Sequence, residues 1–305
     1  MVVSILKTQL MILIIIIIGF CVTKAGLLSQ KTRSDITDLV LYIILPCNIF
    51  SAFHKGVSPE VLRQSIVVLI AAFGMQLIYM ILNRILYNRI PQERRIVLQY
   101  ATITNNAGFM GLPVIESVFG QTGLLYGAIV LIPLRIFMWT AGLSLFTKAD
   151  KKQRIKIVAT HPCIWAVLLG FAYLFVPFEL PVFISDMFSF IGGSVTLLTM
   201  LIVGSILSEV NPKDVIDKDC FFYSFIRLIA IPAVLYCALT LLRIDHLATG
   251  VIVLSSAMPA AVMTAMLADK YGKDSAFASK TVFVSTIISM VTLPIIAVLL
   301  TQGVR

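Results

Sequence analysis

Apolar residues in this chain run in long blocks separated by short polar connections. The blocks fall at roughly 4–23, 36–54, 61–83, 95–119, 122–147, 157–177, 183–208, 220–242, 246–271 and 277–302. A helix needs about 20 predominantly apolar residues to cross the hydrocarbon core of a bilayer. The pattern therefore predicts an all-α membrane protein with ten transmembrane segments. The longest polar connections are about a dozen residues, too short for a soluble domain. Segments 4 and 9 are interrupted. The first interruption is Asn105-Asn106-Ala107-Gly108-Phe109-Met110-Gly111-Leu112-Pro113, and the second is Met258-Pro259-Ala260-Ala261. Broken backbone at membrane depth is tolerated only where protein buries it or where it lines a cavity.

Composition strengthens this reading. Hydrophobic residues make up 59% of the chain, charged residues 13%, and mean hydropathy is +0.99, which excludes an ordinary soluble domain. The net charge of +9 would suit a nucleic-acid partner, but the placement of the charges argues against one. Basic residues gather after segment 1 (Lys24, Lys31, Arg33), between segments 3 and 4 (Arg84, Arg89, Arg94, Arg95) and between segments 5 and 6 (Lys148, Lys151, Lys152, Arg154, Lys156). They recur after segment 7 (Lys213, Lys218) and around the turn after segment 9 (Lys270, Lys273, Lys280). The even connections and the termini hold Lys7, Lys55, Arg63, Arg243 and Arg305. The positive-inside rule then places the odd connections in the cytoplasm and both termini outside an inner or plasma membrane. Lys7 before an isoleucine-rich run resembles a secretory signal, but no small-residue cleavage pattern follows Leu10–Val22, so the run is read as the first span. The five cysteines are odd in number and lack metal-ligand spacing; they read as packing residues, and no metal or other cofactor is expected.

Five spans are an odd number, so a second unit of five enters the membrane from the opposite side. Inverted repeats of that kind are a recurrent plan of secondary transporters. The expected division is a first repeat at 1–147, a basic cytoplasmic linker at 148–156 and an inverted repeat at 157–305. Aligning Gly120 with Gly272 pairs Asn106 with Met258 and Ala107 with Pro259, and each half then reads as a break, a few helical turns, a glycine turn and a fresh helix.

The run Asn106–Pro113 followed by Phe119-Gly120 resembles the fourth-segment signature of the auxin efflux carrier family. Met258-Pro259-Ala260-Ala261 through Ala268-Asp269-Lys270-Tyr271-Gly272 resembles that family's ninth segment, and Leu45-Pro46-Cys47-Asn48-Ile49-Phe50 its second-segment proline motif. The family includes bacterial malonate-type permeases and the plant carriers of auxin. The resemblance implies broken segments 4 and 9 that cross one another. It also implies a scaffold of segments 1, 2, 6 and 7, and a mobile transport domain of segments 3–5 and 8–10. A homodimer through the scaffold is compatible with that plan. The long cytoplasmic loop of many plant members is absent.

A half-helix that starts at a break presents unpaired N–H groups and the positive end of its dipole. Two such ends at one midplane point favour an anion. Asn105 and Asn106 add amide donors, Gly108 and Gly111 allow close approach, and Pro259 frees a carbonyl one turn earlier. The candidate binding residues are Asn105, Asn106, Gly108, Gly111, Met258, Pro259 and Ala260, with the crossover breaks at Ala107, Pro113 and Pro259. Asn48 is the scaffold residue expected to face the site. Ser194, Thr196 and Thr199 are the weaker candidates of segment 7, because such hydroxyls bond back to their own helix. Gln76 and Gln99 read as packing residues, and His54, His161 and His246 as interfacial ones. Arg135, near the centre of segment 5, is costly in a membrane. It either contacts a substrate carboxylate or pairs with Glu116.

These features favour a secondary transporter of a small organic anion working by an elevator-type movement. The alternatives are a cation- or proton-coupled exchanger of a related crossed fold, or a membrane sensor that transports nothing. Neither break contains a carboxylate, which argues against a cation as the main substrate. An H+ or Na+ coupling ion stays open, through Glu116 or Asp269 in the proton case. Motifs of hydrolases, zinc proteases and nucleotide-binding enzymes are absent.

Overall fold

The structure is a computed structural model that describes residues 2–54, 58–146, 159–160, 162–173, 176, 179–208 and 216–302. The basic linker at 148–156, Lys55, His161, Lys213 and Arg305 lie outside the described residues, as do the side chains of His54, Asp269 and Lys270. The regular elements among the described residues are all helices, and their one bridge of β type is the isolated antiparallel pair Asn105–Ala260.

Helix α1 (Val2–Lys24) is followed by α2 (Gln30–Leu39), which starts where the Ser29 hydroxyl accepts the Thr32 N–H at 3.1 Å. A wider π turn, Val40–Ile44, leads into α3 (Leu45–His54). Ser58 caps α4 (Pro59–Leu86), where Pro59 stands in the first turn and needs no intrahelical N–H partner. Then come α5 (Gln92–Ile103), α6 (Leu112–Phe137), α7 (Leu143–Phe146), α8 (Pro162–Tyr173), α9 (Val182–Gly193) and α10 (Val195–Leu207). The remaining helices are α11 (Lys218–Phe225), α12 (Ile231–Leu241), α13 (His246–Ser256), α14 (Met263–Lys270) and α15 (Ser275–Gln302).

Six helical stretches among the described residues are long and apolar enough to cross a membrane: Gln30–Ser51, Pro59–Leu86, Ala107–Phe146, Val182–Leu207, Lys218–Leu241 and Ser275–Thr301. At segments 4 and 9 the difference from the ten apolar blocks has a physical reason. The breaks cut segments 4 and 9 into pieces, α5 and α13 being only 12 and 11 residues long. The stretch Ala107–Phe146 joins the end of segment 4 to segment 5, although Gly120 (φ 65°, ψ −157°) leaves helical geometry within it. Gly272 also has positive φ (61°), so both glycines that aligned the halves adopt a backbone that L side chains avoid.

Helix α4 shows how the bilayer shapes the sequence. Ile66, Ile70, Leu77, Ile81 and Ile85 face outward, while Gln76, Tyr79 and Asn83 are buried among Val68, Ala72 and Met75. Apolar residues outside and polar groups inside is the arrangement a lipid solvent demands. The amides of Asn83 and Gln99 each donate to the other's backbone carbonyl at 2.9 Å, which stitches α4 to α5 as a packing contact. Helices α1 and α10 approach so closely that a Cβ at Gly19 would meet the Leu201 backbone, and one at Gly204 the backbone of Ile16. Small residues at such contacts are how membrane helices pack without a hydrophobic drive between them. On another face, Arg94 reaches Asp217 and Asp219 at 3.2 Å and Asp274 at 3.9 Å, tying the starts of α5, α11 and α15 together.

Candidate functional site: the meeting of two broken helices

Helix α5 ends at Ile103, and regular helix resumes only at Ala107, as a π turn (Ala107–Gly111) that runs into α6. The break is therefore Thr104–Asn106, shorter than the Asn105–Pro113 run suggests. Ala107 and Pro113 are helical rather than breaking positions. Pro113 lies in the first turn of α6, where its lost donor costs little. The first intrahelical bonds of the resumed helix close on the Asn106 carbonyl, from Met110 and Gly111 at 3.0 Å each. The N–H groups of residues 107–109 precede them and form its positive end.

The second break, between α13 and α14, meets the first one directly. Asn106 N–H donates to the Pro259 carbonyl at 2.8 Å, and Asn105 pairs with Ala260 as the isolated bridge. Pro259 has no N–H to offer the Ser255 carbonyl four residues earlier, which instead accepts the Met258 N–H at a long 3.5 Å and the Asn105 side-chain amide. Ala260 N–H donates to the Ser285 hydroxyl of α15 at 3.2 Å. The two breaks thus satisfy part of each other's freed backbone groups, and Ser285 meets one more.

A cavity of about 250 Å³ opens on this junction. Its inner wall is Asn105, Asn106, Gly108 and Phe109 with Leu134, Arg135 and Met138; Ala261, Val262, Met263 and Met266 come from beyond the second break, and Ile202 and Ile206 from α10. Residues of α2 (Gln30, Arg33, Ser34, Thr37 and Asp38) and Leu41 complete the lining. Of the sequence-derived candidates, the cavity brings together Asn105, Asn106, Gly108 and Arg135. Gly111 and Met258 pack on each other instead, a Cβ at Gly111 falling 3.2 Å from Met258 Cγ. Pro259 and Ala260 act through their backbone groups outside the lining. Asn48 lies against α9, its amide donating to the Gly192 carbonyl at 3.4 Å, and does not reach the cavity wall. Ser194 and Thr199 bond back to Ile191 and Val195 of their own helices.

Arg135 is 8% exposed and forms no ion pair among the described residues. Its Nη1 lies 3.7 Å from Met138 Sδ, its Nε has no partner, and a Cβ at Gly108 would fall 3.1 Å from its Nη2. The Glu116 carboxylate accepts the Gln121 amide at 2.6 Å. Gly108 thus leaves room for a guanidinium beside the positive end of the resumed helix. Two like-signed features converge there with no counter-charge from α6 or the breaks, and such a place favours an anion.

Two features escaped the sequence reading. Gln30, Arg33 and Ser34 of the lining precede the apolar block at 36–54 and Thr37 and Asp38 stand at its start, so only the Ser29 cap and the polar pattern of Gln30–Asp38 signal a helix there. Arg227 is the other. It sits in Phe225-Ile226-Arg227-Leu228, is fully buried, and donates from Nη1 to the Thr102 carbonyl at 3.2 Å. A lone Arg in an apolar run is the signal that marked Arg135, and it applies equally here.

The class these features define is a multi-pass helical membrane protein with a cavity at two mutually paired helix breaks. The chain belongs to the membrane transport protein family, the auxin efflux carrier family of the resemblance, whose profile matches residues 4–160 and 155–297. It is 26% identical over 302 residues to an uncharacterized transporter of Methanocaldococcus jannaschii, an alignment covering 93% of this chain and 95% of that protein. A second uncharacterized transporter, from Methanothermobacter thermautotrophicus, is 26% identical over 301 residues, covering 96% and 98% of the two chains.

Proposed function

We propose that this protein is a secondary transporter that carries a small organic anion, such as a mono- or dicarboxylate, across the plasma membrane by elevator-type alternating access. The observation that carries the reading is Arg135: nine-tenths buried, with an unpartnered Nε, on a cavity wall shared with Asn105, Asn106 and the start of a helix. A planar guanidinium beside helix N–H groups suits a carboxylate. The cavity is smaller than the ~300–1,000 Å³ usual for drug-sized ligands, which favours a compact solute. The breaks contribute no carboxylate, and the Asp38 carboxylate of the lining comes from α2 together with Arg33. That balance favours an anion over a cation-exchange reading.

The architecture we propose with it is two inverted five-segment repeats. Segments 1, 2, 6 and 7 serve as the scaffold and the rest as the moving domain. The tight α1–α10 contact and the α3 contacts with α8 and α9 support the grouping of the scaffold. In this arrangement the cavity lies between α10 and α2 on one side and the paired breaks on the other, so sliding one group past the other would carry the site across the bilayer. With the odd connections in the cytoplasm, the lining residues of α2, which follow the first connection, favour access from that side.

The test is a thermal-shift screen of organic acids on the purified protein, followed by uptake into proteoliposomes with and without ion gradients. Carboxylates that stabilise the protein and accumulate in vesicles support the reading. Stabilisation without any flux would make the protein a sensor. An Asn106→Ala protein that kept full binding and transport would remove the breaks from the site.

A further inference from the structure

A second guanidinium stands on the far side of the same junction, and the anion reading does not use it. Helix α5 ends inside the protein, so its last carbonyls need donors other than water. Three of the last four have named donors. The Tyr100 carbonyl takes the N–H and hydroxyl of Thr104 at 2.8 and 2.9 Å. The Ala101 carbonyl takes the Tyr223 hydroxyl at 2.9 Å, and the Thr102 carbonyl takes Arg227 Nη1 at 3.2 Å. Tyr223 and Arg227 are four residues apart at the α11 end and the π turn after it, so they reach the same helix terminus. The guanidinium carbon also sits 4.5 Å from the centre of the Tyr79 ring.

A helix C-terminus carries about half a negative charge, and in transporters with broken helices such ends and their unwound carbonyls are where metal cations bind. Here the end is already met by a fully buried cation that the chain itself supplies. Among the described residues no carboxylate pairs with Arg227, so its charge is opposed by the Thr102 carbonyl and an aromatic face rather than by an acid, while its Nε and Nη2 have no hydrogen-bond partner.

We infer that Arg227 is a tethered substitute for a bound metal cation at the crossing: it neutralises the end of the first half-helix and holds the break in shape without an exchangeable ion. The inference concerns the state of the protein before any solute arrives, and stands whether or not the solute is an organic anion. It makes Arg227 a positioning residue, acting on the break through the Thr102 carbonyl.

The experiment uses the full-length protein in detergent, reading the midpoint of thermal unfolding in chloride salts of sodium, potassium and choline at equal ionic strength. The wild-type midpoint is the same in all three. Arg227→Ala lowers it by roughly 5–10 °C, as expected for an unpaired buried carbonyl and a void. Millimolar guanidinium or a small alkali cation then recovers part of that loss saturably, while leaving the wild type unmoved. Arg227→Lys keeps a cation at the site, and therefore folds with a smaller loss and no response to added cations. If Arg227→Ala cannot be purified, the wild type and the Lys variant carry the test. A saturable sodium stabilisation of the wild type, an Arg227→Ala protein as stable as the wild type, or one that no small cation restores would each overturn the inference.

Discussion

Arg135 and Arg227 are the same side chain, buried at similar cost in the same bilayer, and they sit on opposite ends of one helix break. Arg227 faces a helix C-terminus, where a carbonyl and an aromatic ring share its charge although its Nε and Nη2 have no hydrogen-bond partner. Arg135 faces the start of the resumed helix, where the local field has its own sign, and it keeps an unpartnered Nε next to a cavity. The first cation lies against the negative end of a helix; the second lies against a positive end, where an arriving anion would offset both. The contrast teaches that an intramembrane arginine is read by the polarity of the backbone it faces, not by its burial.

The comparison is most exposed at Arg227. Arg227→Leu should cost about 2–4 kcal/mol of stability, from an unpaired carbonyl and imperfect packing. Unfolding midpoints in detergent check it, and an unchanged midpoint would erase the distinction between the two residues. Arg135→Gln should do the reverse. The unliganded protein should melt at or slightly above the wild-type temperature, while the affinity for the stabilising carboxylate falls by roughly 10–100-fold, the loss of a charge-assisted contact. Titration calorimetry reads this, and retained affinity would reduce Arg135 to packing. Tyr223→Phe removes the hydroxyl that meets the Ala101 carbonyl and should cost about 1 kcal/mol without changing ligand affinity. Gly108→Ala places a methyl 3.1 Å from Arg135 Nη2, and should weaken carboxylate binding a few-fold, with an energy of about 1 kcal/mol or less. A larger effect on stability than on binding would show that Gly108 serves the fold rather than the guanidinium.

Much of the frame was legible because the bilayer leaves few options. The apolar blocks locate helices, Pro259 marks the second break, and the donor it removes explains why Ser255 needs Asn105. The first break was placed within its run but drawn too long. Glycines and a proline read as helix breakers in isolation, yet a π turn accommodates Ala107–Gly111 and a first-turn position accommodates Pro113. Which candidates would share the cavity was less legible. Asn48, expected to face the site from the scaffold, and Met258, at the start of the second break, turn to Gly192 and Gly111, because facing across a helix depends on packing partners far away in sequence. Arg227 was missed for another reason. Basic residues were read as topology markers of the connections, and Arg227 belongs to no connection.

The bond from Arg227 to Thr102 also bears on how the chain is made. Inserting an arginine at the centre of a membrane helix costs about 2.5–3.5 kcal/mol at the translocon. Tyr79 and Thr102 are synthesised more than a hundred residues before it. The segment around Arg227 therefore enters the membrane after its partners, which makes the first half of the chain a chaperone for the second. Coexpressed halves should assemble, whereas the second half expressed alone should be the fragment that quality control removes.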